Sequence, residues 1–419
     1  MTTTDGAAVT TGPRATAGAA VTTQSSAADL YARSDQYGYA NLLTDDERAV
    51  LATLRTFLET QAAPLVADHW ERGEFPTQLL GPLAGLDLMA PPSLTGGGAR
   101  PRQLFEGFRV FELARTDASL ATYFNGQASL FRSNVLLGGS AEQVARWDPL
   151  ITRFEMTGVF ALTEPEHGSD IAGGLATTAR REGDTWVIDG AKRWIGSAAY
   201  SDYLTVVARD EADSKAKAFL VRTDAPGVEL RKIGGKIALR MVNNADITLT
   251  GVRVSEEYRL QRVNSFADIA AMLRAMRAGV AWIATGVQAG AYEAALRYVL
   301  ERHQFGRPIG GFQLVQDKLV RMLGNLTASL GMVVRLAQQQ DASVYRDEDS
   351  ALAKAWVSAR MRETVALARE VAGGEGITLA TDVARFFADA EAVYTYEGTN
   401  EINTLVVGRA ITGLSAFTR

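Results

Sequence analysis

The chain contains no cysteine, which removes disulfides and thiolate chemistry from its repertoire. It has only three histidines, His69, His167 and His303, scattered without the spacing of a metal site. It has no excess of positive charge: 43 Lys and Arg stand against 48 Asp and Glu, a formal net charge of -5. A nucleic-acid binder carries a basic face, so that class is set aside. No uninterrupted apolar run approaches the roughly 18 residues of a membrane-spanning helix. The first 30 residues are rich in Thr, Ala and Ser, with one arginine and no apolar core segment, and do not read as a secretion signal. Residues 1–40 are expected to be a disordered leader. Phe417-Thr418-Arg419 is not a targeting tripeptide of the Ser-Lys-Leu type. The expectation is a soluble, cytoplasmic protein without a nucleic-acid or membrane partner and without a metal.

Several cofactor and nucleophile signatures are missing too. There is no G-x-S-x-G elbow. Gly234-Gly235-Lys236 lacks the glycine spacing and the following Ser or Thr of a P-loop. Gly374-x-Gly376 has no third glycine and follows a helical pattern rather than a strand. A nucleotide cofactor, if bound, does not use the Rossmann mode.

What is present is ordinary globular material: 419 residues, 47% apolar and 22% charged. Three regions differ in periodicity. In the first, Thr44 and Glu47 have capping-box spacing, followed by a stripe of Val50, Leu51, Leu54, Phe57 and Leu58. A Gly/Pro-rich stretch from Pro91 to Pro101 interrupts it, and helical spacing returns from Leu104 to Leu113. The second, from Met156 to Leu260, reads as strands. Trp186-Val187-Ile188 precedes Asp189-Gly190, a hairpin-turn dipeptide. Further short apolar runs lie at Tyr203 to Ala208, Ala218 to Val221 and Ile247 to Thr250. No helices intervene, so a small β-barrel or sandwich is expected rather than a parallel sheet. The third is helical. Ser265 with Asp268 resembles a capping box and opens a helix to about Arg302; others follow at about Phe312–Asp341 and Asp349–Ala372, before Gly373, Gly374 and Gly376. Four long helices with short links predict a bundle.

Four segments carry candidate chemistry. Leu162-Thr163-Glu164-Pro165-Glu166-His167-Gly168-Ser169-Asp170 offers hydroxyls and backbone N–H groups to a polar ring or phosphate, though an ordinary turn has the same composition. In Lys192-Arg193-Trp194-Ile195-Gly196-Ser197 the Trp suits a core, while Gly196 allows close approach of a flat ligand. Arg302-His303-Gln304-Phe305-Gly306-Arg307-Pro308-Ile309 suits a diphosphate and equally a helix C-terminus. Glu397, in Tyr394-Thr395-Tyr396-Glu397-Gly398-Thr399-Asn400, is either an exposed loop carboxylate or one partly desolvated by its aromatic neighbours, which would make it a base.

Taken in order, these segments resemble the acyl-CoA dehydrogenase family, over about Leu42 to Phe417. The branch resembled is that of glutaryl-CoA dehydrogenases and plant peroxisomal short-chain acyl-CoA oxidases. It is carried by Lys192 to Gly196, Leu239-Arg240-Met241-Val242, Val263-Asn264-Ser265-Phe266 and Tyr394 to Thr399. The resemblance implies an α+β fold: an N-terminal helical domain (41–155), a middle β-barrel (156–260) and a C-terminal four-helix bundle (261–419). It implies FAD between barrel and bundle, completed by a second subunit of a homotetramer. Phe160, Leu162, Thr163, Gly168, Ser169, Trp194, Ile195 and Gly196 would line the flavin. Arg302, Phe305, Gln313, Glu370, Gly373 and Gly374 would reach a neighbour's FAD, with Thr399 and Glu401 on the adenine side. Ser169, Arg277, Gly398 and Phe417 would contact the CoA thioester.

The activity implied is α,β-dehydrogenation to a trans-2-enoyl-CoA in fatty acid metabolism. Glu397 would take the α-proton as the β-hydride passes to flavin N5, and the N–H of Glu397 would help hold the enolate-like oxygen. The implied electron acceptor is an electron-transfer flavoprotein; oxygen, or a carrier-protein thioester as substrate, are the alternatives. Three positions depart from the family pattern or decide within it. The rival base position on the first bundle helix is Met276. Gly196-Ser197 replaces the usual Thr-Asn. The position of the arginine that binds a distal carboxylate is Ala121, followed by Thr122. Burying a substrate carboxylate without a cation is costly, so an uncharged acyl group is expected.

Overall fold

A computed structural model describes residues 30–96 and 100–417. Most of the expected leader lies outside these residues. Its last part, 30–40, is folded rather than disordered. Leu30 and Tyr31 are buried, and the Tyr31 ring packs on Phe108 and Phe111 at 5.2 and 5.8 Å. Aromatic burial at that point outweighs the weak local propensity of the segment.

The first region is helical: α1 (Asp45–Phe57), α2 (Ala63–Arg72), α3 (Gln103–Thr116), α4 (Ala118–Asn125), α5 (Arg132–Gly138) and α6 (Ala141–Thr152). The Thr44 capping box forms in full: its hydroxyl accepts the Glu47 N–H at 3.2 Å, and the Glu47 carboxylate accepts the Thr44 N–H at 2.8 Å. A π-turn over Leu58–Ala62 joins α1 to α2.

Seven strands follow: β1 (Gly158–Ala161), β2 (Thr178–Glu182), β3 (Thr185–Gly196), β4 (Tyr203–Asp210), β5 (Ala216–Arg222), β6 (Val228–Lys232) and β7 (Asn244–Ser255). The barrel is a half-barrel, in one mixed sheet of order β1-β4-β2-β3-β7-β6 with β5 on the other side of β4. Two pairings are parallel, β1 with β4 and β2 with β4, although parallel pairing was not expected. They are short, and they become possible because a long loop and the β2–β3 hairpin return the chain to the same edge of β4. Asp189-Gly190 is not a hairpin turn. The turn is at Gly183-Asp184, and β3 runs straight through Asp189-Gly190 with a register shift against β7. Gly190, at φ 151°, sits where a Cβ would lie 2.6 Å from the Thr177 hydroxyl. The same dipeptide thus serves a bulge as well as a turn.

The third region holds α7 (Phe266–Glu301), α8 (Gln313–Asp341), α9 (Asp347–Val371), α10 (Val383–Thr395) and α11 (Asn400–Thr412). At the start of α7 the cap differs from expectation: the Asp268 carboxylate accepts the Asn264 N–H and the Ser265 hydroxyl, both at 2.9 Å. α8 is long and apolar enough by composition to cross a membrane. In the fold Met322, Leu326, Leu330 and Val333 bury one face of it, while Leu314 and Val320 stay exposed. α7 packs between α9 and α3, so bundle and N-terminal helices share one core.

Candidate active site

Glu397 sits in the break between α10 and α11. The Tyr396 N–H closes α10 on Ala392 O at 2.9 Å, and Thr399 caps α11 by accepting the Ile402 N–H at 3.3 Å. Between them Glu397 adopts φ 54° and Gly398 φ 93°. Left-handed backbone is uncommon outside glycine and costs about 1–2 kcal/mol, so its surroundings must hold Glu397 there. They do. The Lys354 ammonium, on α9 and wholly buried, donates to Tyr396 O and Gly398 O. Asn403 Nδ2 donates to Gly398 O at 2.8 Å and Thr399 O at 2.9 Å.

The carboxylate itself is prepared for proton transfer. Its Oε2 is buried and has no hydrogen-bond partner among the described residues. Burial pushes Glu397 up to about 7, against the opposing pull of Lys354 and Arg277. Burial pushes Lys354 down to about 8, and lowers Arg277, on which Asp347, Arg274 and Glu397 also act. Glu397, Gly398 and Arg277 are therefore brought together. Met276, buried on α7, presents no carboxylate at the rival position. Thr122, on α4, has its hydroxyl 3.4 Å from the Tyr396 hydroxyl, and Ala121 beside it is fully buried.

A second cluster joins β1, the loop after it and β3. Arg193 N–H donates to Thr163 O at 2.8 Å. Buried Lys192 donates to Leu162 O at 3.0 Å and to Glu164 at 2.8 Å. Glu164 also accepts the Ala176 and Thr177 N–H groups at 2.7 and 2.9 Å. Burial works to raise Glu164, but Lys192 and these bonds hold it below its ordinary value. Trp194, flanked by Ile195 in the core, has φ 65° and is 52% exposed, with the Arg193 guanidinium 5.1 Å from its ring. It is not the core Trp that its strand position suggests. Phe160 and Gly196 are half-buried, while Gly168 and Ser169 are exposed on the loop.

The remaining expected residues lie outside both clusters. Arg302, Phe305, Gln313, Glu370, Gly373, Gly374 and Glu401 are exposed on the bundle, Phe305 to 92%. Phe417 is also exposed near the chain end. Thr399 serves as the α11 cap. Sequence reasoning singled out neither Lys354 nor the Glu164–Lys192 pair as site residues. The signal was there for Lys354: it occupies an inward position of the stripe Ala351, Lys354, Val357, Ser358, Met361.

Three family models match the chain in order. They are described as the acyl-CoA dehydrogenase N-terminal domain (residues 44–155), middle domain (159–252) and C-terminal domain (266–412). The short-chain specific acyl-CoA dehydrogenase of Rattus norvegicus mitochondria is 31% identical over 372 residues, 87% of this chain and 90% of the relative. The caffeyl-CoA reductase-Etf complex subunit CarC of Acetobacterium woodii is 30% identical over 373 residues, 87% and 97% of the two chains. Two solved structures of a Mycobacterium smegmatis glutaryl-CoA dehydrogenase each superpose with TM-score 0.85. One is 34% identical and covers 94% of this chain and 99% of its own. The other, in complex with FADH2, is 31% identical and covers 90% and 97%.

Proposed function

The chain belongs to the acyl-CoA dehydrogenase family, and from that premise we propose that it desaturates an uncharged acyl-CoA thioester, with Glu397 removing the α-proton. It is an oxidoreductase of an FAD-dependent family. The observation that carries the assignment of the base is the buried, unpartnered Glu397 Oε2 on backbone that the fold holds in an unfavourable conformation. Desolvation raises its proton affinity toward neutrality, where a general base works best.

The exposed Trp194 indole and the half-buried Thr163, tied together through Arg193, fit a flat ring with polar edges. FAD, when bound there, supplies the acceptor for the β-hydride. The chain's own part is to hold the thioester with its α-carbon at Glu397, to keep water from the carboxylate, and to offer fixed donors to the carbonyl oxygen as charge develops on it. Ser169, Arg277, Gly398 and Phe417 are proposed as the thioester contacts. Arg277 is supported by its charge, which favours the ionised Glu397 carboxylate.

Ala121 supports a neutral acyl group: it is buried and carries no charge where a distal carboxylate would need one. An electron-transfer flavoprotein is the proposed acceptor, supported by the relative described as part of an Etf complex. Exposed Phe305, Leu314, Val320 and Ile411 on the bundle support a homo-oligomer, in which Arg302, Phe305 and Gln313 would reach the neighbour's cofactor.

The test is anaerobic flavin bleaching across a panel of acyl-CoAs. Glu397→Gln is expected to give a yellow, folded protein that no acyl-CoA bleaches. Substantial reduction in that variant removes the assignment. Hydrogen peroxide formation, measured against reduction by an electron-transfer flavoprotein, tests the acceptor.

A further inference from the structure

We propose that Lys354 is a positioning residue for proton abstraction: its ammonium clamps the two carbonyls that bracket Glu397 and sets the backbone geometry and charge environment of that base. The inference rests on the reading of Glu397 as the base.

Three observations carry it. Lys354 is fully buried, and lysine is almost never so unless paired. Yet its hydrogen-bond partners are carbonyls, Tyr396 O and Gly398 O, rather than a carboxylate. These are the residues immediately before and after Glu397, so one group fixes both ends of the left-handed segment. Asn403, from α11, already supports Gly398 O and Thr399 O with a neutral amide. Holding carbonyls therefore does not by itself require a buried charge, and burying one is costly.

The charge has a second effect. The groups that act on Glu397 are Lys354 from α9 and Arg277 from α7. Those that act on Lys354 are Glu397, Arg277 and, from α11, Glu401. Asp347 and Arg274 act in turn on Arg277, and the Tyr396 hydroxyl lies 3.4 Å from the Thr122 hydroxyl. Lys354 is thus a cation that keeps the base ionised before it accepts a proton, although burial favours its neutral form. Without the cation, Glu397 would be protonated over a wider pH range and its loop would lose its main anchor.

The experiment compares wild type, Lys354→Met and Lys354→Gln as flavin-loaded proteins. It reads kcat and KM against pH, with the primary isotope effect on an α-deuterated acyl-CoA. Methionine removes clamp and charge; glutamine keeps a donor and removes the charge. We expect Lys354→Met to lower kcat roughly 10²-fold, with KM little changed, as misplacing a reacting group does. Lys354→Gln should regain part of that loss while its acidic limb moves to higher pH. An acidic limb unmoved in Lys354→Gln overturns the proposal, as does a Lys354→Met variant with wild-type kcat. If Lys354→Met does not fold, the glutamine profile alone decides. Glu397→Gln in parallel separates the two readings: residual turnover there removes the base itself. An inactive Glu397→Gln beside unaffected Lys354 variants removes only the clamp.

Discussion

Glu397 shows how one side chain acquires a function that its residue type does not guarantee. In water a glutamate is a weak base with its proton long gone at pH 7. Here burial acts first, raising it to about 7, and two cations hold it back from rising further. The sign for activity follows. The group must be unprotonated to accept the α-proton, so kcat/KM is expected to fall about tenfold per pH unit below about 7 and to level off above it. Stopped-flow flavin reduction at low substrate across pH 5.5–9 measures this. A flat profile through that range would mean that a different group limits the reaction. Gly398 matters for the same residue: at φ 93° it turns the chain directly after Glu397 without the penalty a side chain would bring.

At the scale of elements, the loop after β1 is held by a buried ion pair rather than by its own turn residues. Lys192 is wholly buried and pushed down to about 8 by burial, against the pull of Glu164. Breaking such a pair on one side leaves a charge without its partner, which costs roughly 3–5 kcal/mol, whereas removing both charges is often mild. Lys192→Met is therefore expected to melt earlier and to lose flavin on gel filtration. The double variant Lys192→Met/Glu164→Gln should recover a large part of both. Equal damage in single and double variants would show that the pair's charge is irrelevant to the loop. This pair also shows what was legible in sequence. Thr44 with Glu47 could be read directly, because a capping box joins residues three apart. The long helices could be read from their stripes, and their ends fall within two residues of expectation. Glu164 and Lys192 lie in the Leu162–Asp170 and Lys192–Ser197 segments, but their contact spans 28 residues and depends on β1 meeting β3's neighbourhood through the sheet. Asp189-Gly190 misled because a hairpin and a bulge use the same glycine conformations. Residues 30–40 misled because their order comes from α3, not from themselves.

At the scale of the molecule, one carboxylate joins all three regions. Asp389 on α10 accepts the Trp70 indole N–H from α2 at 2.9 Å and the Leu239 N–H from the segment before β7 at 2.6 Å, both on Oδ1. Trp70 is 319 residues away in sequence, so no local pattern could announce the contact. Nearby Arg385 is paired with Asp117 and Asp382, which leaves Asp389 weakly compensated. Burial first, and then the Asp117 charge, push Asp389 up to about 7. That value lies above the unfolded one, so the folded state holds the extra proton between about pH 4 and 7. The associated stability is fully present at low pH and is lost as pH rises through about 7. Asn at this position keeps an acceptor oxygen for both donors and never ionises. Asp389→Asn is therefore expected to be more stable than wild type at pH 8, by about 1–3 kcal/mol, and to show a clearly smaller gain at pH 5, where most of the proton-linked stability is still present. Asp389→Ala should be less stable than the Asn variant at both, since the Trp70 and Leu239 donors lose their acceptor at about 1–3 kcal/mol. Thermal melts of the three proteins at both pH values test this. An Asn variant offset from wild type by the same amount at pH 5 and pH 8 would mean that Asp389 does not titrate in this range. The junction would then be held by its hydrogen bonds alone.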